Sequence, residues 1–227
     1  MQLSNTQPMP DYAHDGYAAL GLARNPFVAE QEAGTPSDLW LDRDDVPSQP
    51  PHDAGQFVQI VGVRGAGKTS LMLHWQKMTA GVYHYVDFGR SRWQLPPLAP
   101  FCYWDELDRM VGLVRMLALC VARLRGMTII AGTHVDLAWQ ARISGLRCTT
   151  IHLQPLSVPL LQQLATKRIH AVMLDPIQPP KLMLDQTTAQ RILDHAGSSW
   201  REALVHLHIW ASQRAQHQTQ GLHRMIK

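Results

Sequence analysis

The sequence predicts an α/β fold: a three-layer sandwich around a mostly parallel five-stranded sheet, followed by a small helical unit. Short apolar runs alternate with helical patterns from Gln56 to Leu153. A glycine-rich turn joins the first of these runs to a helix, and strand signals stop after Pro155. Alternation of this kind implies parallel strands, whose crossovers leave helices on both faces of the sheet.

Residues 1–15 are polar and acidic where a signal peptide would be basic and then apolar, and they read as a loose tail. Asp42–Gly55 (DRDDVPSQPPHDAG) is charged and proline-rich, so it reads as a connector without a helix. Gln56–Val61 (QFVQIV) suits a short buried strand, and Thr69–Thr79 (TSLMLHWQKMT) a helix. Val82–Phe88 (VYHYVDF) alternates like a strand, and Phe101–Trp104 (FCYW) is a third strand ending in Asp105-Glu106. Leu107–Arg125 suits a helix, Met127–Gly132 (MTIIAG) a buried strand, Val135–Ile143 a helix, and Cys148–Leu153 (CTTIHL) a fifth strand. Helical patterns then occupy Val158–Met173, Thr187–Ala196 and Ser199–Gln216, and the glutamine- and histidine-rich last dozen residues suggest a fraying tail.

Apolar residues at 45% and charged residues at 17% exclude a disordered chain. A net charge of +3 is too thin to mark a nucleic-acid surface by itself. Cys102, Cys120 and Cys148 lie in apolar runs without C-x-x-C spacing, which suits buried thiols in a reducing compartment, with the cytoplasm as the expected location. The most apolar stretch, Met110–Gly132, is interrupted by Arg115, Arg123 and Arg125, so no membrane span is expected. The histidines show no metal-ligand spacing, and no structural metal is expected.

Gly62-Val63-Arg64-Gly65-Ala66-Gly67-Lys68-Thr69 satisfies G-x-x-x-x-G-K-[ST] between a predicted strand and a predicted helix, the context this phosphate-binding loop needs. Its glycines let the backbone aim N–H groups at a β-phosphate, and the helix after it, through Ser70, adds its N-terminal dipole. Lys68 supplies a cation between β- and γ-phosphates, and Thr69 a hydroxyl for Mg²⁺. The expected ligands are therefore ATP and Mg²⁺, bound by Gly62, Gly65, Ala66, Gly67, Lys68, Thr69 and Ser70.

Asp105-Glu106 after FCYW resembles the Walker B element, which implies Mg²⁺ held through water by Asp105 and an attacking water polarised by Glu106; both positions also suit a helix N-terminus that favours acidic residues. Thr133, closing MTIIAG, is placed to reach a γ-phosphate or its water, or to form an ordinary turn. Arg201 follows Ser198 and Ser199, either of which can cap a helix. That leaves Arg201 in a first turn whose dipole disfavours it, which points to a ligand as an alternative to a solvated surface position.

Together these segments, with AGSSWREAL, resemble the AAA+ ATPases as Walker A, Walker B, sensor 1 and sensor 2. Leu20-Gly21-Leu22-Ala23-Arg24-Asn25-Pro26-Phe27 looks like the entry segment of two groups in that superfamily, the general-secretion A-type ATPases and the target-selection ATPases of transposons. The resemblance implies a reduced AAA+ core, with an N-terminal tail, entry segment and linker over 1–55, a nucleotide-binding core over 56–156 and a helical lid over 157–227. It also implies base contacts from Pro26 and Phe27, for which a packing staple is the alternative, and an arginine acting on a neighbour's γ-phosphate, either Arg142 or Arg147. One departure is Gly89–Pro100 (GRSRWQLPPLAP), whose three prolines forbid the usual crossover helix. Either that helix is deleted or the second strand is peripheral.

Two functions compete. One is an ATP-hydrolysing AAA+ switch that oligomerises with nucleotide and acts on a DNA-processing or other macromolecular partner. The other is a low-turnover, nucleotide-gated protein-interaction module, favoured by the shortened core. A small-molecule kinase lacks an evident acceptor pocket and an arginine-rich lid.

Overall fold

The computed structural model describes residues 12–27, 40–43, 45–51, 53–197 and 199–225. Two compact units divide the chain: one holds 33–156 and 198–200, the other 1–32, 157–197 and 201–227.

The first unit is a five-stranded sheet in the order β2-β3-β4-β1-β5. Its strands are β1 (Gln56–Val61), β2 (Val82–Tyr85), β3 (Phe101–Asp105), β4 (Thr128–Thr133) and β5 (Arg147–His152). Every pairing is parallel. Helices α2 (Lys68–Met78), α3 (Gly112–Leu124) and α4 (Ala138–Ile143) cover it. Side chains alternate across the pleat. Phe57, Cys102, Trp104, Ile129 and Ala131 pack with α3 and α4, whereas Val58, Ile60, Tyr103 and Ile130 pack with Leu71, Met72 and Trp75 of α2. Two apolar layers on one sheet make the three-layer sandwich that the sequence predicts.

Between β2 and β3 the chain makes a single 3₁₀ turn, Arg90–Trp93, and no α-helix. Pro96, Pro97 and Pro100 account for this, and β2 is also the edge strand, so both alternatives hold. The strand is shorter than expected, ending at Tyr85.

The single helix expected over Leu107–Arg125 is corrected to a 3₁₀ turn, Leu107–Arg109, followed by α3. Glu106 is left-handed (φ 58), and Met110 (ψ 139) and Val111 (ψ 133) are extended. Arg115 reaches back from α3 to hold this turn. Its Nη1 donates to the carbonyls of Leu107 (3.3 Å), Asp108 (3.0 Å) and Met110 (3.0 Å), and its Nε to Gln140 of α4 (2.6 Å). Burial pulls the guanidinium's pKa down, opposed by Asp108. The thiols also differ from expectation: Cys102 is buried, Cys148 half-buried, and Cys120 exposed on the outer side of α3.

The second unit is helical: α1 (Tyr12–Ala19), α5 (Val158–His170), α6 (Gln186–Ala196) and, from Arg201 on, α7 (Trp200–Met225). α6 starts at an Asp185 cap, whose Oδ1 accepts from the Thr188 N–H at 2.8 Å. α7 continues through the segment expected to fray. Gly16 of α1 permits close approach, since a Cβ there would lie 2.5 Å from the Ala215 carbonyl of α7. The segment after α1 is stitched in by a bridge between Leu22 and Met173, and the Asn25 amide donates to Tyr17 (2.8 Å), Ser212 (3.1 Å) and the His208 carbonyl (3.2 Å). Among the described residues no helix is long and apolar enough to cross a membrane.

Arg115→Met keeps most of the buried volume but removes the donor from the Asp108 and Met110 carbonyls and the Gln140 side-chain oxygen, while Leu107 keeps its bond from the Met110 N–H. We expect it to lower stability by about 3 kcal/mol in urea unfolding, since buried polar groups lose their partners. A change below about 0.5 kcal/mol would show that the turn does not depend on Arg115.

Candidate functional site

β1 and β4 lie side by side at the centre of the sheet, and their C-terminal ends carry the site. At the end of β1 the Gly62 N–H still donates to the Thr133 carbonyl of β4 at 3.3 Å. The chain then turns through Gly65 (φ 80) and Gly67 (φ 95), backbone conformations that favour glycine. Ala66 closes the turn onto the Val63 carbonyl and packs its methyl into the α2-side core. The first backbone bond into α2 is Leu71 N–H to the Gly67 carbonyl at 3.0 Å. Among the described residues, the N–H groups of Gly65, Gly67, Lys68, Thr69 and Ser70 make no hydrogen bond. A run of unpaired amides in a glycine-rich turn at a helix N-terminus is an anion-binding concavity.

Lys68 is only 5% exposed, so the sequence gives no hint of how deeply it lies. Its Nζ donates to the Gly62 (2.8 Å) and Val63 (3.2 Å) carbonyls and faces His134 Nδ1 at 3.2 Å. Burial pulls the ammonium's pKa down, against the carboxylates of Glu106, Asp105 and Asp108. The cation is thus drawn under the loop that would carry an anionic ligand.

Asp105, at the end of β3, is fully buried. Its Oδ2 accepts from the Thr69 hydroxyl (2.7 Å) and the Tyr83 phenol (2.8 Å), and its Oδ1 from the Glu106 N–H (3.0 Å). Burial, with Asp105 beside it, pushes the Tyr83 phenol up, so it stays a donor. Gly132 of β4 leaves room for the carboxylate, because a Cβ there would lie 2.5 Å from Asp105 Oδ1. Thr69 and Asp105 therefore juxtapose hard oxygen donors that fit Mg²⁺ beside the loop.

Glu106 sits next to this pair with its carboxylate engaged. Arg109 Nη2 meets Oε2 at 3.0 Å, and His134 Nε2 meets the same oxygen at 3.0 Å. Arg109 also lies over the rings of Phe88 (4.2 Å) and Tyr85 (5.4 Å). The Thr133 hydroxyl donates to the Val135 carbonyl at 2.8 Å, so in this structure it forms a local turn. The next residue, His134, is the one whose side chain reaches both Lys68 and Glu106.

Arg43 comes from the segment read as a connector. It is buried, paired with Asp45 at 2.7 Å, and donates to the Gln154 carbonyl (2.8 Å) and to the loop's Ala66 carbonyl (3.4 Å). Burial would raise the Asp45 pKa, but Arg43 holds the carboxyl below its usual value. The Trp200 N–H donates to the Gly65 carbonyl at 3.0 Å, and a Cβ on Gly65 would strike the Ser199 hydroxyl at 2.5 Å. Of the two expected caps, Ser198 lies outside the described residues and Ser199 packs against Gly65.

Gly62, Gly65, Ala66, Gly67, Lys68, Thr69, Ser70, Asp105 and Glu106 are thus brought together. Arg142 is exposed on α4, and among the described residues its side chain makes no hydrogen bond or ion pair; Arg147, also exposed, donates to the Ala54 carbonyl at 3.2 Å. Pro26, Phe27 and Arg201 belong to the helical unit. There Phe27 is buried against Trp210, with ring centroids 6.3 Å apart, and Arg201 is exposed in the first turn of α7. Sequence reasoning missed Arg43, Tyr83, Arg109, Gly132 and His134. His134 alone carried a local signal, as a polar side chain directly after the central strand.

No protein-family model matches the chain, and no curated protein sequence does. Among solved structures, the chain is similar to RuvB, the Holliday junction branch migration motor of Thermotoga maritima. Identity is 17% and the TM-score 0.45, over 66% of this chain and 52% of that one. A substituted form of the same RuvB matches at 18% identity and TM-score 0.46, over 66% and 53% of the two chains. A signal transduction ATPase with numerous domains (STAND) protein with a tetratricopeptide repeat sensor, from Pyrococcus horikoshii, matches at 15% identity and TM-score 0.38, over 64% and 26%. The chain spans about half the length of the RuvB chains it matches. Likeness at these values assigns no residue, and the site rests on its own geometry.

Gly132→Ala places a methyl against the Asp105 carboxylate. It should cost about 2 kcal/mol in chemical unfolding, as overpacking does. In an Asp105→Ala background the same change should cost less than about half as much, because the clash is gone. Equal costs in both backgrounds would mean that Gly132 does not make room for Asp105.

Proposed function

We propose that this chain binds ATP with Mg²⁺ in the loop Gly62–Ser70 and hydrolyses it as an ATPase of the AAA+ kind. One observation carries the reading: among the described residues, five N–H groups of a glycine-rich turn and the helix start after it have no partner, beside a buried lysine. Amides and Lys68 receive the β- and γ-phosphates, while Thr69 and Asp105 hold Mg²⁺. Glu106 orients the attacking water. Thr133 and Arg201 remain phosphate contacts only by the family resemblance. Pro26 and Phe27 remain base contacts only by the family resemblance; the packing of Phe27 on Trp210 supports the staple instead.

Charge spreading over a transferring phosphoryl group needs a fixed cation, and in this reading a neighbouring copy supplies it. Arg142 is the better candidate of the two, since Arg147 already holds the Ala54 carbonyl and faces Asp53 at 3.8 Å. The protein then assembles with nucleotide and acts on a DNA-processing or other macromolecular partner. The low-turnover module keeps one observation in its favour, namely that Glu106 is engaged on both sides by Arg109 and His134.

Lys68→Ala should lower Mg-ATP affinity about 100-fold or more while leaving the fold intact, because a desolvated, charge-assisted donor is lost. Unchanged affinity in a folded variant would defeat the site.

Glu106→Gln and Arg142→Ala should each bind ATP without turning it over. Mixed one to one, they should recover about a quarter of the wild-type rate, the statistical share of interfaces with both groups intact. Flat inactivity at every ratio, with assembly retained, would favour the low-turnover module.

A further inference from the structure

His134 joins the two charged ends of the site. An ammonium has only donors, so the contact between Lys68 Nζ and His134 Nδ1 at 3.2 Å requires Nδ1 to accept. The proton of the neutral ring is then on Nε2, which faces Glu106 Oε2 at 3.0 Å and Oε1 at 3.3 Å, a donor meeting a carboxylate. The backbone adds a third anchor, with the His134 N–H donating to Asp108 Oδ1 at 3.2 Å. The charged groups around the ring are therefore Lys68 from α2, Glu106 and Asp108 from the turn after β3, and Arg109 through Glu106. Each polar atom of the side chain is spent on one of the two groups that the proposed reaction needs most.

We propose that His134 is a positioning residue for Glu106 that also registers whether Lys68 is engaged by phosphate. The inference rests on the reading of the loop as a nucleotide site. Lys68 Nζ is shared among two carbonyls and His134 Nδ1. Phosphate oxygens outcompete these neutral acceptors, so binding withdraws Lys68 from one end of the ring. Nothing in phosphate binding consumes the other end, and the Nε2–H continues to orient the Glu106 carboxylate. A contact made only in the free state opposes binding, whereas a contact kept in the loaded state supports turnover. The two ends of one imidazole therefore have separable effects.

Asparagine places an acceptor near the Nδ1 position and glutamine places an amide N–H near the Nε2 position, so they divide the bridge. His134→Ala should bind Mg-ADP about three-fold more tightly, the value of a modest lost hydrogen bond, while kcat for ATP falls at least about ten-fold. His134→Gln should keep the tighter binding and regain most of kcat. His134→Asn should restore wild-type affinity but not kcat. A parallel loss of affinity and kcat in all three would mean a merely structural role and would overturn the proposal.

A second readout is independent of turnover. The side-chain ¹⁵N resonances of His134 in the full chain, assigned by their absence in His134→Gln, should show an Nε2–H tautomer without nucleotide. Its Nδ1 resonance should move in the same direction on adding Mg-ADP and on Lys68→Ala, since both remove the Lys68 donor. A resonance that moves with neither contradicts the bridge. Failure of Mg-ADP to bind the wild-type chain, seen separately by calorimetry, would instead remove the nucleotide reading on which the inference rests.

Discussion

Burying the Asp105 carboxylate at the C-terminal edge of a parallel sheet is the constraint on which the rest of the site depends. A buried carboxylate is costly unless donors surround it. Here they are the Thr69 hydroxyl, the Tyr83 phenol and the Glu106 N–H. Each draws a different element to the same point. Thr69 brings the start of α2, Tyr83 brings β2, and the Glu106 amide is delivered by a left-handed backbone turn. Gly132 of β4 yields the space. The short edge strand β2 thereby has a reason to pair with β3 even though no α-helix connects them: its Tyr83 completes the carboxylate's shell.

The left-handed Glu106 has a further effect. It ends β3 abruptly and sends the chain into a 3₁₀ turn, so that the carboxylates of Glu106 and Asp108 and the cation of Arg109 crowd one bend. Arg115 stabilises that bend from inside by taking its free carbonyls. The outcome is a linear array, Lys68, His134, Glu106 and Arg109, in which each member contacts the next.

Much of this was legible in the sequence where the information is local. The loop Gly62–Thr69 is a contiguous pattern whose physical requirements, glycines, a lysine and a hydroxyl, are all within one turn of chain. The strands were found because a sheet covered on both faces leaves near-continuous apolar runs such as Met127–Gly132. The prolines of Gly89–Pro100 revealed the missing crossover helix. What was not legible depends on distant partners. Arg115 reads as an interruption of an apolar run until its carbonyls are seen, Arg43 as part of a connector, and Tyr83 as one more alternating aromatic. The helix assigned across Leu107–Arg125 failed because helical propensity carries no sign of a guanidinium reaching back to unwind the first turn. The last helix was cut short for the opposite reason: the polar composition near Gln216 concealed a backbone that stays helical to Met225.

In the proposed function, the unpaired amides of Gly65, Gly67, Lys68, Thr69 and Ser70, with the Lys68 ammonium beside them, form a seat for a β-phosphate. Calorimetric titration of the full chain with ADP and with AMP, each with Mg²⁺, tests this most directly, because the two ligands differ only in that group. ADP should bind at least about 100-fold more tightly than AMP. Equal affinities, or no binding of either, would contradict it.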